Sequence, residues 1–474
     1  MQKFLVLKTL LASILSIGLL ATVAGCSLTD TSKDLVAKNY LQNAVIYEVN
    51  TRQFTQEGTF AAFQEHLPRL KDLGVDILWL MPIQPISELN RKGTLGSPYS
   101  VADYYGVNPE FGTADDFRAL VSEAHKQGFK VILDWVANHT GWDNPWVTQH
   151  PDWYTKDSAG NITRPIGTDW TDVADLNYDN LEMRTAMIDA MKYWVSEFDI
   201  DGFRADVAHS VPQDFWEAAR SALEEIKPVF MVAEDGGNLG LLQSAFDTNY
   251  AWGLKDLFNK LGSNKADASK FRLLLKSNGY EYKDGKYQMV FIDNHDENSW
   301  TGTVFERMGQ NVKGMAVLSF TVPGLPLIYG GNEVGLDRRL EFFEKDSISW
   351  PSSEEWGTTS WELFYKKLVE LRTNNPALWS AGAGGELVPL NFDRSKVVSF
   401  SRTTEADGQT PASTVIVLVN VSDKTESTNL ELGDLAGAYR EWFADPEGAV
   451  QLVDGQQIEM EPNSYKVFVK DQSE

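Results

Sequence analysis

Short apolar runs recur between residues 44 and 372, and stretches with apolar residues at helical spacing lie between them. The strand-like runs are residues 44–49, 75–80, 130–133, 201–207, 229–233, 289–292 and 326–329, with a weaker one inside 244–252. The helix-like stretches are residues 60–73, 113–127, 181–198, 212–226, 309–320 and 361–372. Short strands that alternate with longer helices predict a parallel sheet built from βαβ units.

Four of the strand-like runs end in side chains suited to acid–base or nucleophilic chemistry. These ends are Asp134 with 138–139 (NH), Arg204 with Asp206 and His209, 234–235 (ED), and 293–296 (DNHD). The carboxyl ends of the strands of a (β/α)8 barrel meet at one rim, where barrel enzymes have their active sites. The sequence therefore predicts an α/β fold with a (β/α)8 TIM barrel over residues 44–379.

Two regions depart from this alternation. Residues 140–179 are polar, aromatic and irregular, and they predict a short insertion after the third strand. Beyond residue 380, strand-like runs at 397–401, 414–419 and 465–469 are separated by turn residues. This pattern predicts a C-terminal β-sandwich domain over 380–474.

The charge balance excludes one class of partner. The chain has 42 basic and 67 acidic residues, a net charge of −25, whereas nucleic-acid phosphates require a basic face. We therefore expect no nucleic-acid partner. A neutral substrate would not be affected by this charge.

Aromatic residues make up 12% of the chain, with 15 Trp. Four of them lie close together in the insertion, at Trp142, Trp146, Trp153 and Trp170. Some of these rings are candidates for stacking on a sugar, and ordinary packing is the alternative for each.

The N-terminus has the pattern of an export signal. Lys3 and Lys8 precede an apolar stretch over 10–23, and the sequence VAGC ends at Cys26. This resembles a bacterial lipoprotein signal peptide (1–26) with a lipobox, after which Cys26 would carry the lipid anchor. Residues 27–43 would form a tether, and Ser27 after the cysteine is typical of outer-membrane delivery. A plain signal peptide and an uncleaved anchor are the alternatives. Because Cys26 is the single cysteine, no intramolecular disulfide is possible.

Four motifs carry a family resemblance. In chain order they are 133–139 (LDWVANH), 202–206 (GFRAD), 232–234 (VAE) and 291–296 (FIDNHD). They resemble the signature regions of glycoside hydrolase family 13, the α-amylase family, as do 97–104 (SPYSVADY) and 108–113 (NPEFGT). The resemblance covers residues 44–470. It implies hydrolysis of α-glucosidic bonds, in the first place α-1,4, in starch-derived glucans or maltodextrins.

The resemblance also implies a role for each motif residue. Asp206 corresponds to the nucleophile, Glu234 to the proton donor and later base, and Asp296 to a third carboxylate that holds sugar hydroxyl groups. Retention of configuration requires one carboxylate and one carboxylic acid across the scissile bond. Arg204 would pair with Asp206 and orient it. The other substrate contacts would be the hydrogen bonds of His139 and His295 and the aromatic ring of Tyr99.

The sequence does not decide the metal site, the role of Asp134 or the linkage that is cleaved. The resemblance allows a structural calcium ion at Asn138 and Asp175, although the family's usual Lys-His after the nucleophile reads His209-Ser210 here. Asp134 could serve the site or brace the barrel.

Val207 occurs in relatives of both linkage preferences, so it does not decide between α-1,4 and α-1,6 bonds. An α-1,6-acting glucosidase and a glucan transglycosylase are therefore alternatives. A non-catalytic glucan-binding or scaffold protein is a distant one, since such relatives lack the catalytic carboxylates.

Overall fold

The computed structural model describes residues 39–277, 286–380, 382–391, 396–444 and 449–470. The predicted signal peptide, Cys26 and residues 27–38 of the predicted tether lie outside the described residues. No helix in the described ranges combines the length and the apolar character needed to cross a membrane.

Eight parallel strands of the described chain close into a barrel. In chain order they are Ile46–Val49, Ile77–Leu80, Lys130–Trp135, Gly202–Ala205, Phe230–Ala233, Thr248–Tyr250, Tyr287–Val290 and Leu325–Tyr329, called the first to eighth barrel strands below. Each strand pairs with the next, and the eighth pairs with the first through Leu327 and Ile46. The predicted (β/α)8 barrel is confirmed.

The helices alternate with the barrel strands. The longer ones are Leu67–Leu73, Ala114–Lys126, Leu181–Phe198, Gln213–Glu224, Trp252–Gly262, Ala268–Ser277, Val312–Thr321 and Ser360–Asn374. Shorter ones are Thr51–Phe54, Phe60–Gln64, Pro145–Gln149, Leu241–Ser244 and Val304–Met308. The single helix predicted over 60–73 is two helices, because Pro68 lacks an N–H and therefore fits only in the first turn of a helix, here the one that begins at Leu67.

The barrel interior is a packed apolar core. Its members include Ile46, Ile77, Trp79, Ile132, Phe230, Val232, Met289, Phe291, Leu325 and Leu327. The strands are therefore apolar on both faces, as expected of a buried parallel sheet. Gly202 begins the fourth strand with φ of +148°, and a Cβ there would lie 1.9 Å from the Phe230 carbonyl oxygen. Only glycine fits this close approach.

The insertion contains a short antiparallel pair, His139–Gly141 with Val173–Asp175. The C-terminal part forms a six-stranded sheet and a separate two-stranded sheet. Their strands are Glu386–Pro389, Val397–Thr404, Ser413–Asn420, Glu426–Asn429, Gly437–Glu441, Ala449–Leu452, Gln457–Met460 and Tyr465–Val469.

The end of the predicted tether packs against the barrel. Leu41 is buried in the barrel core cluster, and the Gln42 carbonyl accepts hydrogen bonds from the Ser380 N–H (2.7 Å) and Arg372 Nη2 (3.3 Å). Residues 39–43 therefore belong to the folded unit, because Leu41 covers apolar side chains at the barrel end.

Candidate active site

Six of the site residues predicted from the sequence line one cavity of about 550 Å³ at the carboxyl ends of the barrel strands. The predicted residues that line it are Tyr99, His139, Asp206, Glu234, His295 and Asp296. The loops add Lys92, Ser97, Asp169, Trp170, Asp172, Val173, Val207, Trp300, Phe342 and Phe343. The structure thus brings together residues from distant parts of the chain, from Lys92 to Phe343.

Arg204 lies beneath the cavity and is fully buried. Its Nη1 is 2.9 Å from Asp134 Oδ1 and 3.3 Å from Asp206 Oδ1, and its Nη2 is 3.0 Å from Glu234 Oε1. Its Nε donates to the Tyr250 hydroxyl at 3.0 Å. One guanidinium therefore forms ion pairs with three carboxylates, and it donates hydrogen bonds to two of them, Asp134 and Asp206.

Glu234 is also held by the backbone after Asp206. The Val207 N–H donates to Glu234 Oε2 at 2.7 Å. Val207 has φ of +37° and ψ of +46°, a left-handed conformation that β-branched residues rarely adopt. Strain of this kind persists where surrounding structure enforces it, and here it aims an N–H group at the carboxylate.

Burial, a neighbouring carboxylate and a guanidinium act together on the Asp206 carboxyl group. Burial and the Glu234 carboxylate raise the pKa of Asp206 well above its usual value, and the Arg204 guanidinium opposes the rise. The expected pairing of Arg204 with Asp206 is present, but Arg204 shares its charge with Asp134 and Glu234.

Asp134 braces the rim. It is fully buried and accepts hydrogen bonds from Arg204, from the Tyr99 hydroxyl (3.0 Å) and from Trp79 Nε1 (3.3 Å). The Tyr99 ring in turn stacks on His295, with centroids 5.5 Å apart. Asp134 thus influences the cavity by holding the Tyr99 hydroxyl and the Arg204 guanidinium in place.

The two histidines differ in charge. Burial lowers the pKa of His139 to about 4, so its ring is neutral at neutral pH. For His295 burial also acts to lower the pKa, but the Asp296 and Glu48 carboxylates outweigh it and raise the pKa to about 9. His295 is therefore cationic at neutral pH. Its Nδ1 is 2.5 Å from Glu48 Oε1, and its Nε2 is 2.9 Å from the Tyr99 hydroxyl and 3.4 Å from Asp296 Oδ2.

Glu48 is a site residue that sequence reasoning missed. It is fully buried at the carboxyl end of the first barrel strand. A charged residue inside the apolar run 45–49 (VIYEV) is the signal that could have found it, since buried carboxylates require a partner. Lys92, Trp300, Phe342 and Phe343 were also missed, because they lie in loops without a motif.

The insertion tryptophans have different roles. Trp170 lines the cavity, with its ring 5.5 Å from that of His139. Trp153 is buried and stacks on His150 at 4.0 Å, and Trp142 Nε1 donates to the Thr171 carbonyl at 2.9 Å. Of the four candidates, Trp170 is therefore positioned to contact a ligand in this cavity.

Asn138 and Asp175 lie close together at one end of the insertion. Asp175 opposes His139 in the antiparallel pair, and the Leu176 N–H donates to the Asn138 carbonyl at 3.1 Å. Burial raises the pKa of Asp175, and no group of three or more His, Cys, Asp or Glu suited to a metal occurs in the described ranges. Two oxygen-bearing side chains fit part of a calcium shell, whose six to eight ligands would otherwise come from carbonyl groups and water.

The chain is a (β/α)8 barrel with carboxylates after its fourth, fifth and seventh strands. This is the arrangement of barrel enzymes, whose active sites lie at the carboxyl ends of the strands. A family model described as alpha amylase, catalytic domain, matches residues 27–165 and 166–355. The chain belongs to the alpha-amylase family.

Relatives and solved structures agree with this membership. The alpha-amylase MalA of Haloarcula japonica is 26% identical over 88% of this chain, and the cyclomaltodextrinase of Thermoanaerobacter pseudethanolicus is 29% identical over 78%. The chain spans 62% and 64% of the lengths of these two proteins.

Two solved structures match over 91% of this chain and 99% of their own. The alpha-amylase from Lactobacillus plantarum has a TM-score of 0.77 at 31% identity. The noncanonic maltogenic alpha-amylase AmyB from Thermotoga neapolitana has 0.80 at 30%.

Proposed function

We propose that the chain is a retaining glycoside hydrolase that cleaves α-glucosidic bonds, in the first place α-1,4, in starch-derived glucans or maltodextrins. The observation that carries the proposal is the pair Asp206 and Glu234, held by one buried guanidinium at the floor of a cavity. The relatives named above as alpha-amylases, a maltogenic amylase and a cyclomaltodextrinase support the substrate class.

The proposed reaction has two displacements. Asp206 attacks the anomeric carbon while Glu234 gives its proton to the leaving oxygen, which forms a glycosyl ester and frees the acceptor chain. Glu234 then takes a proton from water, whose oxygen attacks the same carbon and releases Asp206. The Val207 N–H and Arg204 keep Glu234 aimed through both steps.

The proposed sugar contacts follow from the charges of the site. Cationic His295 and the Asp296 carboxylate offer a donor and an acceptor to the hydroxyl groups of the transferred sugar. Neutral His139 offers a hydrogen bond without adding positive charge beside the oxocarbenium-like transition state. The Tyr99 ring supplies an apolar face below the sugar.

Product analysis tests the proposed function. The purified protein is incubated with amylose, maltoheptaose, pullulan and isomaltose, beside an Asp206→Asn control. Shortened maltodextrins from the parent protein, with none from the variant, are expected. Longer oligomers would indicate a transglycosylase, and cleavage of isomaltose alone an α-1,6-acting glucosidase. A folded protein that acts on none of them would support the non-catalytic alternative.

Glu48 is expected to set the alkaline limit of activity. Replacing Glu48 with Gln removes a carboxylate that raises the pKa of His295, so His295 loses its proton at lower pH. The alkaline limb of the pH profile of kcat/KM should then move to lower pH. The other groups that face His295 remain: Asp296, the Tyr99 hydroxyl with Asp134 behind it, and Arg204.

A matched control for this variant is Glu333→Gln. Glu333 is equally buried, but it pairs with Arg69 at 2.9 Å and accepts from the Tyr47 hydroxyl outside the cavity. Its replacement should leave the limb in place. If the alkaline limb of kcat/KM stays in place in a folded Glu48→Gln variant, then the protonation of His295 does not control that limb.

We also propose that the chain is exported and anchored in the bacterial cell envelope, in the outer membrane, through lipid on Cys26. The support is the sequence pattern around 10–27. In a bacterial host, a labelled fatty acid should enter the parent protein but not a Cys26→Ser variant. The variant should also leave the membrane fraction. Equal labelling of the two would contradict the anchor.

A calcium ion bound by Asn138 and Asp175 is a prediction that thermal unfolding can test. Chelator-treated protein should melt at a higher temperature once calcium is added, and an Asp175→Asn variant should lose this increment. A melting temperature that does not respond to calcium would reject the site.

A further inference from the structure

Three loops meet beside the cavity and form a continuous wall. We call this the donor-side wall and define it as residues 92–95 after the second barrel strand, 169–172 of the insertion, and 342–344 after the eighth strand. Lys92, Asp169, Asp172, Phe342 and Phe343 of this wall all line the cavity.

An ion pair joins the first two loops. Lys92 Nζ lies 3.3 Å from Asp172 Oδ1 and donates to the Asp169 carbonyl at 3.3 Å. The Asp172 side chain is 6% exposed and that of Lys92 is 29% exposed. Asp172 is fixed further because the Ser100 hydroxyl donates to its carbonyl at 2.8 Å. A pair with one buried partner is less screened than an exposed ion pair, so it can hold two loops together.

Hydrogen bonds join the second-strand loop to the eighth-strand loop. The Leu95 N–H donates to the Phe343 carbonyl at 3.2 Å, and the Thr94 N–H donates to Glu344 Oε1 at 2.9 Å. A Cβ on Gly93 would lie 2.4 Å from the Phe343 Cβ. The two loops are therefore packed without space for a sugar chain between them.

The proposed reaction determines which end of the substrate, the leaving acceptor chain or the transferred donor chain, faces this wall. Glu234 protonates the oxygen that leaves with the acceptor, so the acceptor extends past Glu234 and Val207, where His209 is exposed. The transferred sugar lies between Asp206 and the pair Tyr99 and His295. Glu234 follows the fifth strand, whereas the loops of the donor-side wall follow the second, third and eighth strands around the barrel, so the wall faces the end of that sugar away from the acceptor.

We propose that the donor-side wall, closed by the Lys92–Asp172 ion pair, leaves room for only one or two glucosyl units behind the cleaved bond, so that the enzyme attacks maltodextrins from the non-reducing end. The Lys92 ammonium and the Asp169 and Asp172 oxygens face the cavity, where they can bind terminal hydroxyl groups. The inference rests on the proposed function and specifies its mode of attack.

Two maltoheptaosides with the same chromogenic group at the reducing end test this. One has a free non-reducing end, and in the other O4 and O6 of that end are blocked by an acetal. The purified protein is expected to release glucose or maltose from the free substrate and to act at least tenfold more slowly on the blocked one. Similar rates on both would overturn the proposal, and no action on either would contradict the proposed function itself.

Variants of Lys92 test the ion pair. Lys92→Ala should raise the rate on the blocked substrate at least tenfold and add longer products from amylose. Lys92→Arg, which can keep the pair with Asp172, should discriminate like the parent protein. If Lys92→Ala still rejects the blocked substrate, the ion pair does not close the cavity and its assignment is wrong.

Discussion

Replacing Glu234 with Gln should lower kcat on maltodextrins by about 10²–10⁴-fold, the usual contribution of a general acid. With α-maltosyl fluoride as the substrate, the Glu234→Gln variant should recover much of the rate of the first step, because fluoride departs without a proton. Glutamine has the shape of the carboxylate and can keep an oxygen acceptor for the Val207 N–H, but it loses the charge that pairs with Arg204. The measurement is kcat on both substrates for parent and variant.

Two further variants make this result specific. Asp235→Asn changes the adjacent carboxylate, which accepts from the Gly237 and Asn238 N–H groups and does not line the cavity, and both rates should stay near those of the parent. Asp206→Asn should be inactive on both substrates, because a good leaving group cannot replace a nucleophile. If Glu234→Gln loses the same factor on the fluoride as on maltodextrins, then Glu234 is not the proton donor.

The barrel could be predicted because its signals are local. Each apolar run can be recognised as a strand from its own residues, and the right-handed connection between parallel strands leaves few ways to arrange them. The predictions were weakest where a signal was short or interrupted. The sixth strand is only Thr248–Tyr250, and the helix Trp252–Gly262 that follows it is not among the helices predicted from the sequence. Pro68 broke a helix whose apolar spacing continues past it.

The site could be predicted in part for the same reason. Asp206, Glu234 and Asp296 follow their own strands, so a motif and a strand end locate them together. Glu48 bonds to His295 across 247 positions, a contact that exists only after the barrel closes. Lys92 meets Asp172, and Gly93 meets Phe343, through loops whose conformations follow from packing between them. Which linkage and which chain length the cavity accepts depends on these loop contacts.

Arg204 is expected to stabilise the fold as well as the reaction. Replacement by Met leaves Asp134 buried without its ion-pair partner, and breaking a buried pair in this way costs about 3–5 kcal/mol. Urea unfolding followed by tryptophan fluorescence at pH 7 should show this loss, and turnover should be abolished. Arg204→Lys should recover part of the stability but little activity, since one ammonium cannot reach three carboxylates.

The stability loss in Arg204→Met should shrink as the pH falls. Burial raises the pKa of Asp134 above its usual value, and Arg204 opposes that rise, so the variant's Asp134 has a still higher pKa when folded. A carboxyl group with a raised folded pKa destabilises the protein above its unfolded pKa, and protonation relieves the cost. The difference in unfolding free energy between parent and variant should therefore be smaller at pH 5 than at pH 7. Adding Asp134→Asn should recover stability in the Arg204→Met background and reduce it in the parent, because the amide needs no counter-charge. A loss that is equal at both pH values and additive with Asp134→Asn would mean that Arg204 stabilises the barrel by packing alone.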